Sequence, residues 1–166
     1  MASEGNINLT SLQPGILNFK DACVMIIRTE WNADITAELE NGCRKMLEQY
    51  GVGAIKTIVV PGAFELPFAA NQVYNRYYMN EPLDAIIALG CIIRGGTPHF
   101  EYVANAVTDG LSRLNTQLAV PVIFGVLTVN DKQQALDRCG GTEGHKGEEA
   151  ALTALKMIHF TAQLKR

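Results

Sequence analysis

The sequence predicts a three-layer α/β domain, with a four-stranded parallel sheet covered by helices on both faces. Three observations predict it. Runs of strand length recur at residues 22–27, 55–60, 85–89 and 121–129; those at 22–27 and 85–89 are apolar throughout, as strands buried on both faces are, and 55–60 carries β-branched Ile58, Val59 and Val60. Stretches with apolar residues at helical spacing separate them. The resulting order, βαβαβαβα, with no linker, internal repeat or low-complexity stretch, implies parallel strands joined by right-handed crossovers.

The composition excludes several classes. A chain of 166 residues, 48% hydrophobic and 19% charged, can bury a sizeable single core. A net charge of −3 without a basic run argues against nucleic-acid or acidic-membrane binding. No apolar run reaches the roughly 20 residues that span a bilayer. The opening residues, Met1-Ala-Ser-Glu-Gly-Asn, lack the basic-then-apolar order of a secretory signal. Cys23, Cys43, Cys91 and Cys139 show no CxxC spacing, and three of them fall in strand-like or helical runs. Buried free thiols in a reducing cytoplasm are the expected account.

Taken in order, residues 1–21 carry no strong period. Ile7, Leu9, Ile16 and Leu17 suit a short strand or an arm covered by a neighbouring subunit, and the α/β domain is expected over 22–166. The first strand leads into a loop containing Trp31 and Asn32. A helix is expected over 34–50, with Ile35, Leu39, Cys43, Met46, Leu47 and Tyr50 on one face, ended by Gly51-Val-Gly53. The second strand turns at Pro61-Gly62, and Ala63-Phe64-Glu65-Leu66-Pro67 opens a helix running to about Tyr78. The third strand is expected to break at Gly90 and again at Gly95-Gly96. Thr97 then suits an N-cap and Pro98 a first helical residue, for a helix ending near Leu118. After the fourth strand, Asn130-Asp131 caps a short helix and 140–144 forms a loop. The last helix spans about 148–163, with Ala151, Leu155, Ile158 and Ala162 inward.

A strand, a glycine turn and a helix start make an anion site, because unpaired amide N–H groups and the positive end of the helix dipole face the same point. His99 lies in the first turn of that helix. Histidine titrates near neutrality, so its neutral imidazole can take up and return a proton. Trp31, the single tryptophan, follows the first strand at the sheet edge where open α/β folds bind ligands. It either packs on its own domain or offers a platform for a flat ring. Glu65 either complements a helix dipole or accepts hydrogen bonds from a polyol. Arg138 can clamp a phosphate as a fork. Other sites are missing from the sequence. There is no GxxxxGK[ST] loop, no GxGxxG after a strand and no GxSxG elbow, and His99, His145 and His159 have no paired metal spacing.

Four separated motifs resemble the 6,7-dimethyl-8-ribityllumazine synthase family. They are Val60-Pro-Gly-Ala-Phe-Glu-Leu-Pro67, Ala88-Leu-Gly-Cys-Ile-Ile-Arg-Gly-Gly-Thr-Pro-His-Phe-Glu-Tyr-Val103, Pro121-Val-Ile-Phe-Gly-Val-Leu-Thr128, and Gln134-Ala-Leu-Asp-Arg138 followed by His145-Lys-Gly147. The resemblance covers about residues 15–165. It implies a flavodoxin-like fold and a cofactor-independent transferase of riboflavin biosynthesis. Such an enzyme condenses 5-amino-6-(D-ribitylamino)uracil with (S)-3,4-dihydroxy-2-butanone 4-phosphate and releases water and phosphate. By similarity, Trp31 stacks on the pyrimidine, and Asn32 and Glu65 hold the ribityl chain. Backbone groups of Ala63, Phe64, Cys91, Ile92 and Ile93 read the ring and position the tail. Gly96 and Thr97 bind phosphate and His99 shuttles protons. Phe124, Arg138 and Lys146 would come from a neighbouring subunit, Arg138 completing the phosphate site. The resemblance also implies a cytoplasmic homo-oligomer, a pentamer or a 60-subunit shell, with riboflavin synthase as a further partner.

Two rival readings share this fold: a riboflavin synthase of the archaeal type, and a non-catalytic shell or flavin-binding protein. The intact Gly95-Gly-Thr-Pro-His99 turn argues against the first, and retention of both His99 and Arg138 against the second. The departures from the family pattern are small: Trp31 where Phe is common, Gly96 and Pro98 in the turn, and His145 where Asn is frequent.

Overall fold

Four parallel strands stand in the order β2-β1-β3-β4 in a computed structural model that describes residues 18–78 and 80–164. They are β1 (Cys23–Thr29), β2 (Ala54–Val60), β3 (Ala85–Ile93) and β4 (Val122–Val129). Helices α1 (Ala33–Gln49), α2 (Leu66–Tyr77) and α3 (His99–Gln117) connect them, and α5 (Lys146–Leu164) closes the described chain. A single 3-10 turn, Ala63–Glu65, precedes α2. Between β4 and α5 lie a short helix, α4 (Lys132–Leu136), and a small antiparallel hairpin, β5 (Cys139–Gly141) with β6 (Gly144–His145). Among the described residues no helix is long and apolar enough to cross a membrane.

The two-residue alternation of a strand sorts the core into two layers. Val24 and Ile26 of β1, with Ala85, Ile87 and Leu89 of β3, face α1 and α5. Met25 and Ile27, with Ile86 and Ala88, face α2 and α3. Both central strands are buried nearly throughout, and each fully buried Ile or Leu contributes roughly 1.5–3 kcal/mol. The inward face of α1 is Ile35, Leu39, Cys43 and Leu47, with Met46 and Tyr50 packed at its margin. α5 lies against α1 so closely that a Cβ on Gly147 would fall 2.0 Å from the backbone oxygen of Leu39. That contact fixes the hairpin preceding α5 against α1.

The structure corrects five sequence expectations. β3 does not break at Gly90 but runs to Ile93, because β4 continues alongside it and pairs Val126 with Gly90 and Val129 with Ile93. Ladder hydrogen bonding outweighs glycine's low strand preference there. α3 begins at His99, with Pro98 in the capping position and no capping side chain, so Thr97 does not cap it. Residues 140–144 belong to the hairpin rather than an open loop. α5 starts at Lys146, two residues early. Ala162 is exposed, since α5 runs beyond the sheet it covers. Asp131 caps α4 as expected, its carboxylate accepting the Gln134 amide at 2.9 Å. Ile7, Leu9, Ile16 and Leu17, on which an arm was expected, lie outside the described residues. Phe19 is buried in the α1–α5 layer.

Candidate active site

The C-terminal ends of β1, β2 and β3 open into one cleft of about 740 Å³. It lies where the chain leaves β1 and β3 in opposite directions, the usual ligand edge of an open α/β sheet. Its walls come from Trp31 and Asn32 after β1, Pro61 to Glu65 after β2, Cys91 to Ile93 at the end of β3, and Gly95, Thr97, His99, Phe100 and Val103 around the start of α3.

Hydrogen bonds between loops hold these segments together. The amides of Glu30 and Trp31 donate to the carbonyls of Val60 and Pro61 at 2.8 and 3.1 Å. They join the exits of β1 and β2. Asn32 adopts the left-handed conformation (φ 56°, ψ 47°), the only non-glycine described residue to do so. Its Nδ2 donates to the Cys91 carbonyl at 2.9 Å, which joins the exits of β1 and β3. With its neighbours so fixed, Trp31 leaves its ring 75% exposed at the cleft. Phe64 and Glu65 are also exposed beside it. The ring therefore does not pack on its own domain, and a flat face stands beside a free carboxylate and an amide.

The turn before α3 has its own scaffold. The Arg94 guanidinium pairs with Glu101, donates from Nε to Asn130 Oδ1 at 3.1 Å and lies 4.2 Å from the Phe100 ring centroid. Its hydrogen bond holds the Glu101 carboxyl below the usual carboxylate range. With Arg94 so engaged, Gly95 and Thr97 line the cleft beside the uncapped N-terminus of α3, whose first amides suit an anion. His99 is exposed at the same point. The Cys91 thiol is buried, and burial pushes it up to about 12. It is therefore no nucleophile near neutrality, and Cys91 meets the cleft as backbone and wall.

Trp31, Asn32, Ala63, Phe64, Glu65, Cys91, Ile92, Ile93, Thr97 and His99 thus all line one cleft. Gly96 lies between two lining positions and is not itself part of the lining. Phe124, Arg138 and Lys146 stand outside it. Phe124 is 44% exposed on the edge strand β4, on the α2–α3 side shared with Val122 and Val126. Arg138 donates from Nη1 to the Gln134 carbonyl at 2.9 Å, and Lys146 Nζ pairs with Glu149 at 2.6 Å. Sequence reasoning missed Phe100 and Val103 as lining residues and Arg94 with Glu101 as the scaffold of the turn. Helical spacing of four from His99 was the available signal for Val103; no such signal marked Phe100. Among the described residues no three His, Cys, Asp or Glu side chains gather as metal ligands would.

Comparison with known proteins gives the family. A family model described as 6,7-dimethyl-8-ribityllumazine synthase matches residues 21–162. A curated protein of that name from Bacteroides fragilis is 47% identical over 143 residues, covering 85% of this chain and 97% of its own. Another from Cytophaga hutchinsonii is 42% identical over 161 residues, covering 96% and 99%. A third, from Flavobacterium johnsoniae, is 42% identical over 166 residues, covering 98% and 85%.

Proposed function

The chain belongs to the 6,7-dimethyl-8-ribityllumazine synthase family, enzymes of riboflavin biosynthesis, and on that footing we propose how its cleft divides the work of the reaction. Trp31 stacks on the pyrimidine of 5-amino-6-(D-ribitylamino)uracil, with Phe64 beside it. Asn32 and Glu65 hold the ribityl hydroxyls. Backbone groups of Ala63, Phe64 and Cys91 to Ile93 fix the ring and the tail. The phosphate of (S)-3,4-dihydroxy-2-butanone 4-phosphate lies on the Gly96-Thr97 turn at the α3 N-terminus, next to His99.

Holding both substrates in one cleft removes much of the entropic cost of joining them. The primary amine attacks the ketone, water leaves and a Schiff base forms. Elimination then removes a carbon-bound proton and expels phosphate. His99 is the residue of the cleft suited to move that proton, and the turn stabilises the departing anion. No step calls for a cofactor.

The observation that carries this reading is the meeting, in one cleft, of segments 60 residues apart with an aromatic face, a carboxylate, an anion cradle and an imidazole. The same cleft lacks Phe124, Arg138 and Lys146, which supports a site shared between subunits in which a neighbour supplies all three. Exposed Phe68 (70%) and Tyr102 (71%) on α2 and α3 suit such a contact. We assign the assembly as a cytoplasmic homopentamer or a 60-subunit shell of pentamers, handing its product to riboflavin synthase. The test is direct: mix the protein with both substrates and follow phosphate release and lumazine fluorescence. Both signals are expected, His99→Ala slowing turnover by about 10²–10⁴ without abolishing it and Arg138→Ala chiefly raising KM for the butanone phosphate. Silence with both substrates, or riboflavin formation from the lumazine alone, refutes the reading.

A further inference from the structure

Among the described residues, one buried side-chain polar atom has no hydrogen-bond partner: Nε2 of His145. The side chain is 11% exposed although it belongs to a two-residue surface strand. Its Nδ1 accepts the amide N–H of Gly147 at 3.2 Å. That amide lies in the first turn of α5, so the imidazole caps the helix. Acceptance at Nδ1 leaves the neutral ring's proton on Nε2, which faces Glu38 Oε1 at 3.8 Å, beyond hydrogen-bonding range. The ring rests on α1 where Gly42 leaves room. A Cβ on Gly42 would fall 2.2 Å from ring Cε1.

Capping alone does not account for a histidine. Ser, Asp or Asn cap at least as well and leave no ring N–H buried and unpaired. What the ring adds is a wedge between α5 and α1. The hairpin register shows what that wedge holds. Cys139 pairs with His145, and the Lys146 amide donates to the Arg138 carbonyl at 2.8 Å. In an antiparallel pair, opposed residues share a face and successive ones alternate. Cys139, with Sγ 3.9 Å from the Ile35 carbonyl, and His145 both face α1. Arg138 and Lys146 flank that pair, one just before β5 and the other at the start of α5, and the backbone bond between them ties the two ends of the hairpin together.

We propose that His145 is a positioning residue: seated on Gly42 and capping α5, it locks the hairpin whose two ends carry Arg138 and Lys146 and so fixes where those residues stand toward the phosphate-bearing substrate in a neighbouring cleft. This rests on the reading that those two cations serve a neighbouring site.

The test is steady-state kinetics with both substrates varied, on His145→Asn, His145→Ala, Gly42→Ala, Arg138→Ala and the double variant His145→Ala/Arg138→Ala. Melting temperature and sedimentation serve as controls. Asn keeps an acceptor near the Nδ1 position, so His145→Asn should hold KM for the butanone phosphate within about threefold. His145→Ala and Gly42→Ala should each raise it about tenfold or more, with KM for the uracil substrate and kcat moved far less. On an Arg138→Ala background, His145→Ala should add less than about threefold, since coupled residues are not additive. If His145→Ala fails to fold, Gly42→Ala, which displaces the ring and leaves the hairpin sequence intact, decides the matter. Unchanged phosphate-substrate KM in both, with Arg138→Ala still raising it, overturns the proposal and leaves the shared site standing. Unchanged KM in Arg138→Ala overturns the shared-site reading and the proposal with it. Lowered melting temperature without a KM change shows a merely structural residue and also overturns it.

Discussion

Replacing Asn32 by alanine and, separately, by glycine divides two physical effects at the lip of the cleft. Both replacements delete the Nδ2 donor to the Cys91 carbonyl at 2.9 Å, a hydrogen bond with a net contribution of about 1 kcal/mol. Only alanine also meets the left-handed backbone at φ 56°, which costs an ordinary L-residue about 1–2 kcal/mol. Glycine adopts it freely but gains about 0.4–1 kcal/mol of unfolded-state entropy that opposes folding. The difference leaves glycine the more stable by about 0.8 kcal/mol, with alanine about 2.5 kcal/mol below the parent. Urea unfolding at one fixed protein concentration reads this, since oligomer stability depends on concentration. The expected midpoint order is parent, Asn32→Gly, Asn32→Ala, at equal slopes. Turnover separates the two effects again: both variants lose the same amide, so KM for the ribityl substrate should rise equally in both. An alanine variant as stable as the glycine one would refute the backbone argument. A glycine variant with parental KM would refute the assignment of Asn32 to the substrate.

Three other outcomes follow from the structure. Glu40 is partly buried, which raises its pKa, but donors from Thr57 at 2.7 Å, Arg28 at 2.7 Å and Arg44 at 3.4 Å outweigh burial and hold it below its ordinary 4.5. A folded-state value below the unfolded one stabilises above pH 4.5 and is lost as pH falls through the folded value. Acid melting curves below pH 4.5 should therefore be steeper for the parent than for Glu40→Gln, and matching curves would contradict the assignment. Burial pushes the thiols of Cys43 and Cys91 up to about 12 and that of Cys139 to about 11, so at pH 8 less than about one part in 10³ is thiolate. Iodoacetamide should leave these three unlabelled in the native protein and label all four cysteines in denaturant; rapid native alkylation at Cys91 would show the cleft wall to be open. Gly147→Ala would place a Cβ 2.0 Å from the Leu39 oxygen. Despite alanine's better helix propensity it should destabilise by about 1–3 kcal/mol, and a melting temperature at or above the parent's would show that α5 can slide on α1.

Much of this molecule is legible along the chain because its signals are local. The strand runs of β1 and β3, the inward face of α1, the Asp131 cap on α4 and the succession of strands and helices all show as patterns among neighbouring residues, where side-chain period and capping chemistry act. The glycine turn before His99 and the residues around Trp31 and Glu65 were legible for the same reason: an anion cradle and a sheet-edge loop are short-range features. What depends on pairing across the chain was not. Gly90 looks like a break until β4 is laid beside it. Residues 140–144 look like a loop until Cys139 meets His145. The sequence by itself thus determined the fold class, the family and the chemical inventory of the cleft, because side-chain period, turn chemistry and motif spacing are properties of neighbouring residues. Tertiary structure alone decided that β3 runs on past Gly90 alongside β4 and that His145 wedges the hairpin onto Gly42. Those outcomes depend on strand order and helix contact between residues tens to more than a hundred positions apart, where no local pattern reaches.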